Sequence, residues 1–386
     1  MRVSVRQGRT APRVRSVRGT CAAWLRGAVR VLGLLAVVGS ASAQATDPSP
    51  ADPVVPDPVP SDPPLFSVAT PMGPLEYRPA RGLRVGDTGL NVGGFTTVEF
   101  DRSDLGPLEI ELDSINLLVL YEPLPWLHAF SEIEFGDLYR YEDGGGDVDS
   151  NPDVSIERLH GDLSLDDALN FRVGKFQTPV GRWNLVPAEP FVWTANEPIQ
   201  IERAFDEFQT GGAIYGSAYP GARTLEYWLY GQFADPLDPE SDDFNADRGA
   251  GGRVQYGQEL GWSVGASYLA SERDHRWSHL GGLDAKWTGD RLELQGEFVY
   301  QDGRRLNHDL WGVYVQGAYE VVPHLHLVGR YEYFDERNSN QDPHVFDTGL
   351  AWIPRPWLHF KLTYRATTHQ TDDAERGLSA SVSLVF

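Results

Sequence analysis

The chain has 386 residues, with 33 lysines and arginines against 55 aspartates and glutamates, a formal charge of −22. So acidic a balance excludes nucleic-acid binding, which needs a basic surface to displace counterions from phosphates. One cysteine, Cys21, leaves no framework of disulfides or thiol-bound metal.

Residues 1–43 read as a secretory signal peptide. They carry Arg2, Arg6, Arg9, Arg13, Arg15, Arg18, Arg26 and Arg30 and no acid, then an apolar core from Val31 to Val38, then Ala41-Ser42-Ala43. The apolar core is too short to cross a bilayer as a helix. Cleavage there removes Cys21 and eight arginines, so the bases fall from 33 to 25 against 55 acids and the charge becomes −30. No later stretch supplies the roughly 18 consecutive apolar residues of a membrane helix. An exported chain of this kind is either a periplasmic soluble protein or a barrel, whose strands alternate lipid-facing and lumen-facing residues. Residues 44–87 are rich in Pro and Asp (ADPVVPDPVPSDPP) and read as an extended segment on the periplasmic side.

From residue 88 the pattern becomes short alternating segments. Leu378, Ala380, Val382, Leu384 and Phe386 share one face of the last, and Ser379, Ser381 and Ser383 the other. In the one before, Leu358, Phe360, Leu362 and Tyr364 oppose His359, Lys361, Thr363 and Arg365. A period of two with one apolar and one polar face separates lipid from water. The same pattern places strands at 90–100, 108–121, 127–136, 154–164, 169–176, 210–217, 224–233, 250–257, 260–270, 279–288, 292–300, 309–320, 325–334, 344–353, 358–367 and 376–386.

Tight links such as Glu122-Pro123-Leu124-Pro125 and Pro354-Arg355-Pro356 alternate with longer charged ones at 137–153, 177–209, 234–248, 271–278, 301–308, 335–343 and 368–375. Short periplasmic turns and long external loops are the layout of an outer-membrane barrel. Tyr121, Trp126, Trp352 and Trp357 near the turns, and Phe100, Phe135, Tyr300 and Tyr333 near the loops, form two aromatic girdles. The expected fold is all-β: a transmembrane antiparallel β-barrel of about 16 strands over 88–386.

Phe171-Arg-Val-Gly-Lys-Phe-Gln-Thr-Pro-Val-Gly-Arg-Trp-Asn184, with Glu202-Arg203-Ala204-Phe205 and Thr210-Gly211, resembles a bacterial porin group related to the phosphate-selective porin O and P family. The likeness is specific over about 154–217. It implies an outer-membrane channel, often a homotrimer, whose third external loop folds into the lumen. Phe386 ending a strand resembles the signal read by barrel-assembly machinery. That family's phosphate channels line the pore with arginines and lysines, and no such excess occurs here, so phosphate does not carry over as the solute.

Connection 177–209 is therefore the candidate constriction, since an aqueous barrel this wide needs something inside to sieve solutes. Trp183, Trp193 and Phe205 pack it to the wall, while Lys175, Arg182, Glu189, Glu202, Arg203, Asp206 and Glu207 present charge, either to the pore or to ion pairs that fix the loop. The polar faces add Glu109, Glu111, Asp113, Glu132, Glu134, Glu226, Asp284, Glu293, Glu297, Glu332 and Asp347. The bases are fewer: Arg158, Arg172, Lys286, Arg330, Lys361 and Arg365. Fixed charge in a narrow bore sets ion preference, so a mild cation preference is expected. Grouping Arg158, Arg172, Arg330 and Arg365 on one wall would instead make a transverse field or an anion path.

Acidic loops 143–149 and 235–243 match no complete calcium loop. Gly261-Trp-Ser-Val-Gly265 spells G-x-S-x-G but lies within an alternating strand rather than at a strand-to-helix turn, and His326 and His359 suggest no third zinc ligand, so no enzyme, metal or cofactor is expected. The expected partners are a lipid bilayer, lipopolysaccharide and small hydrophilic solutes. A barrel whose lumen the long loop plugs, with a surface-binding or structural role, is the other reading of the same fold.

Overall fold

A computed structural model describes residues 63–386 apart from 105, 144–147, 150–151, 186–187, 238–245, 259, 303–308, 337–342 and 371–374. The expected signal peptide, residues 44–62 of the Pro/Asp-rich stretch and parts of both acidic loops lie outside the described residues.

The described chain opens with a small meander, β1 (Phe66–Thr70), β2 (Gly73–Arg78) and β3 (Gly82–Val85). Residues 66–85 are thus paired strands rather than the extended segment expected across 44–87. Proline gave that segment its overall character. Beyond Pro64, however, Phe66-Ser-Val-Ala-Thr70 is β-forming, and Pro71 and Pro79 fall in turns.

Then follow β4 (Leu90–Ser103), β5 (Leu108–Leu124), β6 (Leu127–Glu142), β7 (Val148–Asp149), β8 (Asp153–Asp166), β9 (Leu169–Gln177), β10 (Phe208–Ala218) and β11 (Thr224–Gln232). The remainder are β12 (Arg248–Gly257), β13 (Gly261–Arg273), β14 (Arg276–Thr288), β15 (Leu292–Gln301), β16 (Leu310–Val322), β17 (Leu325–Glu336), β18 (His344–Arg355), β19 (Leu358–Thr367) and β20 (Gly377–Val385). Apart from β7, which pairs with β6 while β6 goes on to pair with β8, each pairs antiparallel with the next, and β20 returns to β4 from Gly377↔Ser103 to Val385↔Phe95. The meander β1–β3 and the two-residue β7 stand outside this ring, leaving sixteen strands and no open edge.

Alternation fixes which way each strand faces. Leu362, Tyr364, Leu378 and Leu384 are each more than 40% exposed, whereas Lys361, Thr363, Ser381 and Ser383 are buried. The apolar row looks outward all round, as it must when the solvent there is acyl chain. Most of the strands expected from sequence appear within two or three residues of their place. The exceptions lengthen toward the loops: β6 reaches Glu142, where Tyr141 pairs with Val148. Outside the bilayer both faces meet water, so the ladder continues after its pattern has vanished.

Candidate pore constriction

Residues 178–207 leave the wall between β9 and β10 and turn into the bore. The stem is closed by Thr178 donating its backbone N–H to the Glu207 carbonyl at 2.7 Å, while Asn184 Nδ2 donates to the carbonyls of Thr178 (2.8 Å) and Glu207 (3.1 Å). Gly181 then turns the chain at φ +64°, where a Cβ would lie 2.0 Å from the Glu297 carboxylate. Only glycine satisfies both the left-handed backbone and that contact. The approach lets the backbone N–H groups of Arg182 (2.9 Å) and Trp183 (2.6 Å) donate to Glu297 Oε1, which also receives the Tyr314 hydroxyl at 2.6 Å.

From there the loop crosses the lumen. Arg182 pairs with Asp284 at 2.7 Å, and Asp284 also holds Arg253 at 2.5 Å. Ala188 packs beside Phe95, Leu118 and Phe130 on β4, β5 and β6. Lys361 donates to the Glu189 carbonyl, and His359 Nδ1 lies 2.6 Å from the Pro190 carbonyl. Trp193 Nε1 donates to Glu293 at 2.8 Å. The loop returns through α1 (Ile199–Ala204), whose first N–H donates to Glu332 at 2.9 Å. Val180, Trp183, Ile199, Ile201 and Phe205 are buried against Leu280, Val299, Leu310, Tyr314, Phe334 and Val345. At about 1.5–3 kcal/mol per fully buried large apolar side chain, this packing outweighs any single ion pair. The inward-folded third external loop is thus a packed element, and wall carboxylates satisfy its unpaired backbone donors.

Four of the arginines expected to line the pore are drawn into pairs with wall acids. Arg158 meets Glu132 at 2.5 Å, and Arg172 meets Asp162 at 2.6 Å with Tyr215 and Trp228 rings 5.2 Å from its guanidinium. Arg330 and Arg365 share Asp347 at 2.7 and 2.9 Å and both approach Glu332, while Arg330 also donates to Thr194 Oγ1 at 2.7 Å on the loop. Lys175, at the end of β9, lies 4.8 Å from the Phe208 ring centroid. Asp206 accepts the Ala246 N–H at 2.8 Å. Glu202, Arg203 and Glu207 are half-buried on the returning limb, and Glu134 is half-buried on β6. Burial raises the Glu189 carboxyl above its ordinary range, and Lys361 opposes that rise.

Several wall charges escaped the sequence reading: Glu99, Asp101, His160, Asp162 and Arg253. The signal was present in their neighbours. Val98 and Phe100 face outward, as do Leu159, Leu163 and Val254, so the intervening positions face in. Glycines around Arg253 hid the period on β12.

No family model matches the chain, and no curated sequence matches it at a significant level. Solved structures do. OmpF of Salmonella typhi, in complex with daunomycin, superposes with TM-score 0.54 at 13% identity, over 78% of this chain and 98% of that one. An anion-selective porin from Comamonas acidovorans gives 0.51 at 13%, covering 77% and 99%. The trimer form of in-vitro folded OmpT, an outer membrane protein of Vibrio cholerae, gives 0.53 at 11%, covering 77% and 99%. At these identities the likeness is one of fold: the chain is a closed sixteen-stranded transmembrane barrel with the architecture of outer-membrane porins and channels.

Proposed function

We propose that the chain is a diffusion porin of a Gram-negative outer membrane, passing small hydrophilic solutes without energy input and favouring cations. It performs no catalysis and uses no cofactor. Its setting is a phospholipid and lipopolysaccharide bilayer, and it assembles as a homotrimer. The observation that carries this reading is the pairing of charges inside the bore. Arg182 on the loop, and Arg253, Arg330 and Arg365 on the wall beside it, are matched to carboxylates. On β4 and β5, by contrast, Glu99, Asp101, Glu109, Glu111 and Asp113 remain half-exposed, and among the described residues only Glu109 of these is ion-paired, with Arg140. Carboxyl groups thus outnumber bases on this wetted wall, and a narrow bore lined in that way favours cations.

The test is a planar-bilayer recording of the purified protein under a potassium chloride gradient. Conductance steps with a cation-selective reversal potential are expected, grouped in threes for a trimer. Anion selectivity would return the arginines to the pore and support an anion channel. A folded barrel that conducts nothing would leave the plugged, surface-binding role.

A further inference from the structure

The acidic arc carries more than a preference of sign. Glu99 pairs directly across from Glu111, and Asp101 directly across from Glu109. Like charges opposite one another in an antiparallel pair destabilise it, yet here two such pairs are consecutive on one face. Asp113 sits beside them in a bulge, where the register shifts between Leu112 and Ser114. The loop adds to the accumulation. Glu189, where the loop lies against β4 and β20 beside this group, is 9% exposed, and its Oε1 has no hydrogen-bond partner among the described residues. Arg140, bound to Glu109, Lys361, bonded to the Glu189 carbonyl, and Arg365, held by Asp347, are bases near this group.

The geometry points to the ligand's shape. Among the described residues no three His, Cys, Asp or Glu side chains converge tightly enough to hold a metal ion. Instead the two carboxylate pairs are spaced by two strand residues, about 7 Å along the wall. A compact cation meets one pair at a time. A cation with two charges joined by a short flexible chain meets both.

We propose that this arc is a binding stripe for short linear diamines, through which the pore selects them over monoamines of equal length. The proposal rests on the channel reading and narrows it to a solute class. Each ammonium gains the attraction of facing carboxylates, about fivefold in occupancy per contact even at water's dielectric constant. The methylene chain needs no pocket, because it spans the gap between pairs.

The experiment compares putrescine with butylamine as the permeant cation in bilayer recordings of the full-length protein. Putrescine is expected to show at least about fivefold higher relative permeability or, where it lingers, dose-dependent current interruptions absent with butylamine. The doubly substituted E99Q/E111Q protein is expected to lose that difference, and D290N, on an exposed turn, to keep it. Equal behaviour of the two amines in the unaltered protein overturns the diamine stripe even if a variant fails to fold. A pore that passes potassium but does not distinguish the amines sinks only this inference. A folded protein passing no ion sinks the channel reading beneath it.

Discussion

Gly181 and Glu297 form the contact on which the loop's entry into the bore depends. The carboxylate accepts two backbone N–H groups and a phenolic hydroxyl, and no side chain at position 181 leaves it room. A methyl group there meets both steric conflict and an unfavourable backbone, so Gly181→Ala is expected to cost about 1–3 kcal/mol. Denaturant midpoints should fall, and open-channel current should become noisier as the loop detaches. Asp347 has a different kind of importance. It lies with Arg330 and Arg365 inside the wall, nearly inaccessible. Removing it in Asp347→Ala leaves two guanidinium groups short of their shared partner, a loss of about 3–5 kcal/mol for a buried pair. Unfolding in guanidinium chloride measures this, and an effect under about 1 kcal/mol would mean that lumen water screens the network as it does surface pairs.

At the scale of elements, strands were legible because a bilayer imposes a simple rule on them. Outward positions must be apolar and inward ones polar, so Leu358 to Arg365 declares its two faces without reference to any partner. The loop's destination had no such trace. Glu297 is over a hundred residues from Arg182, and nothing local in either segment announces their bond. Its aromatic content suggested packing, while the pairing of Arg158 with Glu132 and of Arg172 with Asp162 follows from the register of neighbouring strands, which sets each arginine directly opposite its acid. The charges first read as pore lining therefore divide into wall clamps and a smaller wetted set. Glu189 belongs to the loop's far anchor, and its carboxyl is held above the ordinary value of 4.5 by burial, against the pull of Lys361. With its proton affinity higher folded than unfolded, the anchoring energy is fully present below that ordinary value and is lost as pH rises through the folded value. The denaturant midpoint should thus slope downward with rising pH in this window, and Glu189→Gln should flatten the slope. Replacing residues 182–204 with a short glycine–serine link removes the crossing altogether. Conductance per step is then expected to rise at least about twofold, as befits the open bore of a sixteen-stranded ring.

The whole molecule depends on one join, where β20 meets β4. The ladder does not stop at Val385: Phe386 and Gly94 exchange backbone hydrogen bonds at 2.8 Å in both directions. Gly94 admits this because its Cβ position is taken, 2.1 Å from the Asn116 carbonyl and 2.8 Å from the Phe386 ring. In hydrocarbon every unpaired backbone group costs several kcal/mol, so a barrel missing one strand exposes two rows of them, on β4 and on β19. Deleting residues 377–386 is therefore expected to abolish the compact, heat-sensitive band that a closed barrel gives on unheated gels. Phe386→Ala leaves the backbone ladder intact and subtracts only ring burial, at most about 3 kcal/mol. Refolded into preformed vesicles, where no assembly machinery has to read the terminal residue, that variant should keep the band. If it instead fails as completely as the deletion, closure is held by the ring's packing against Gly94 rather than by the hydrogen-bonded edge.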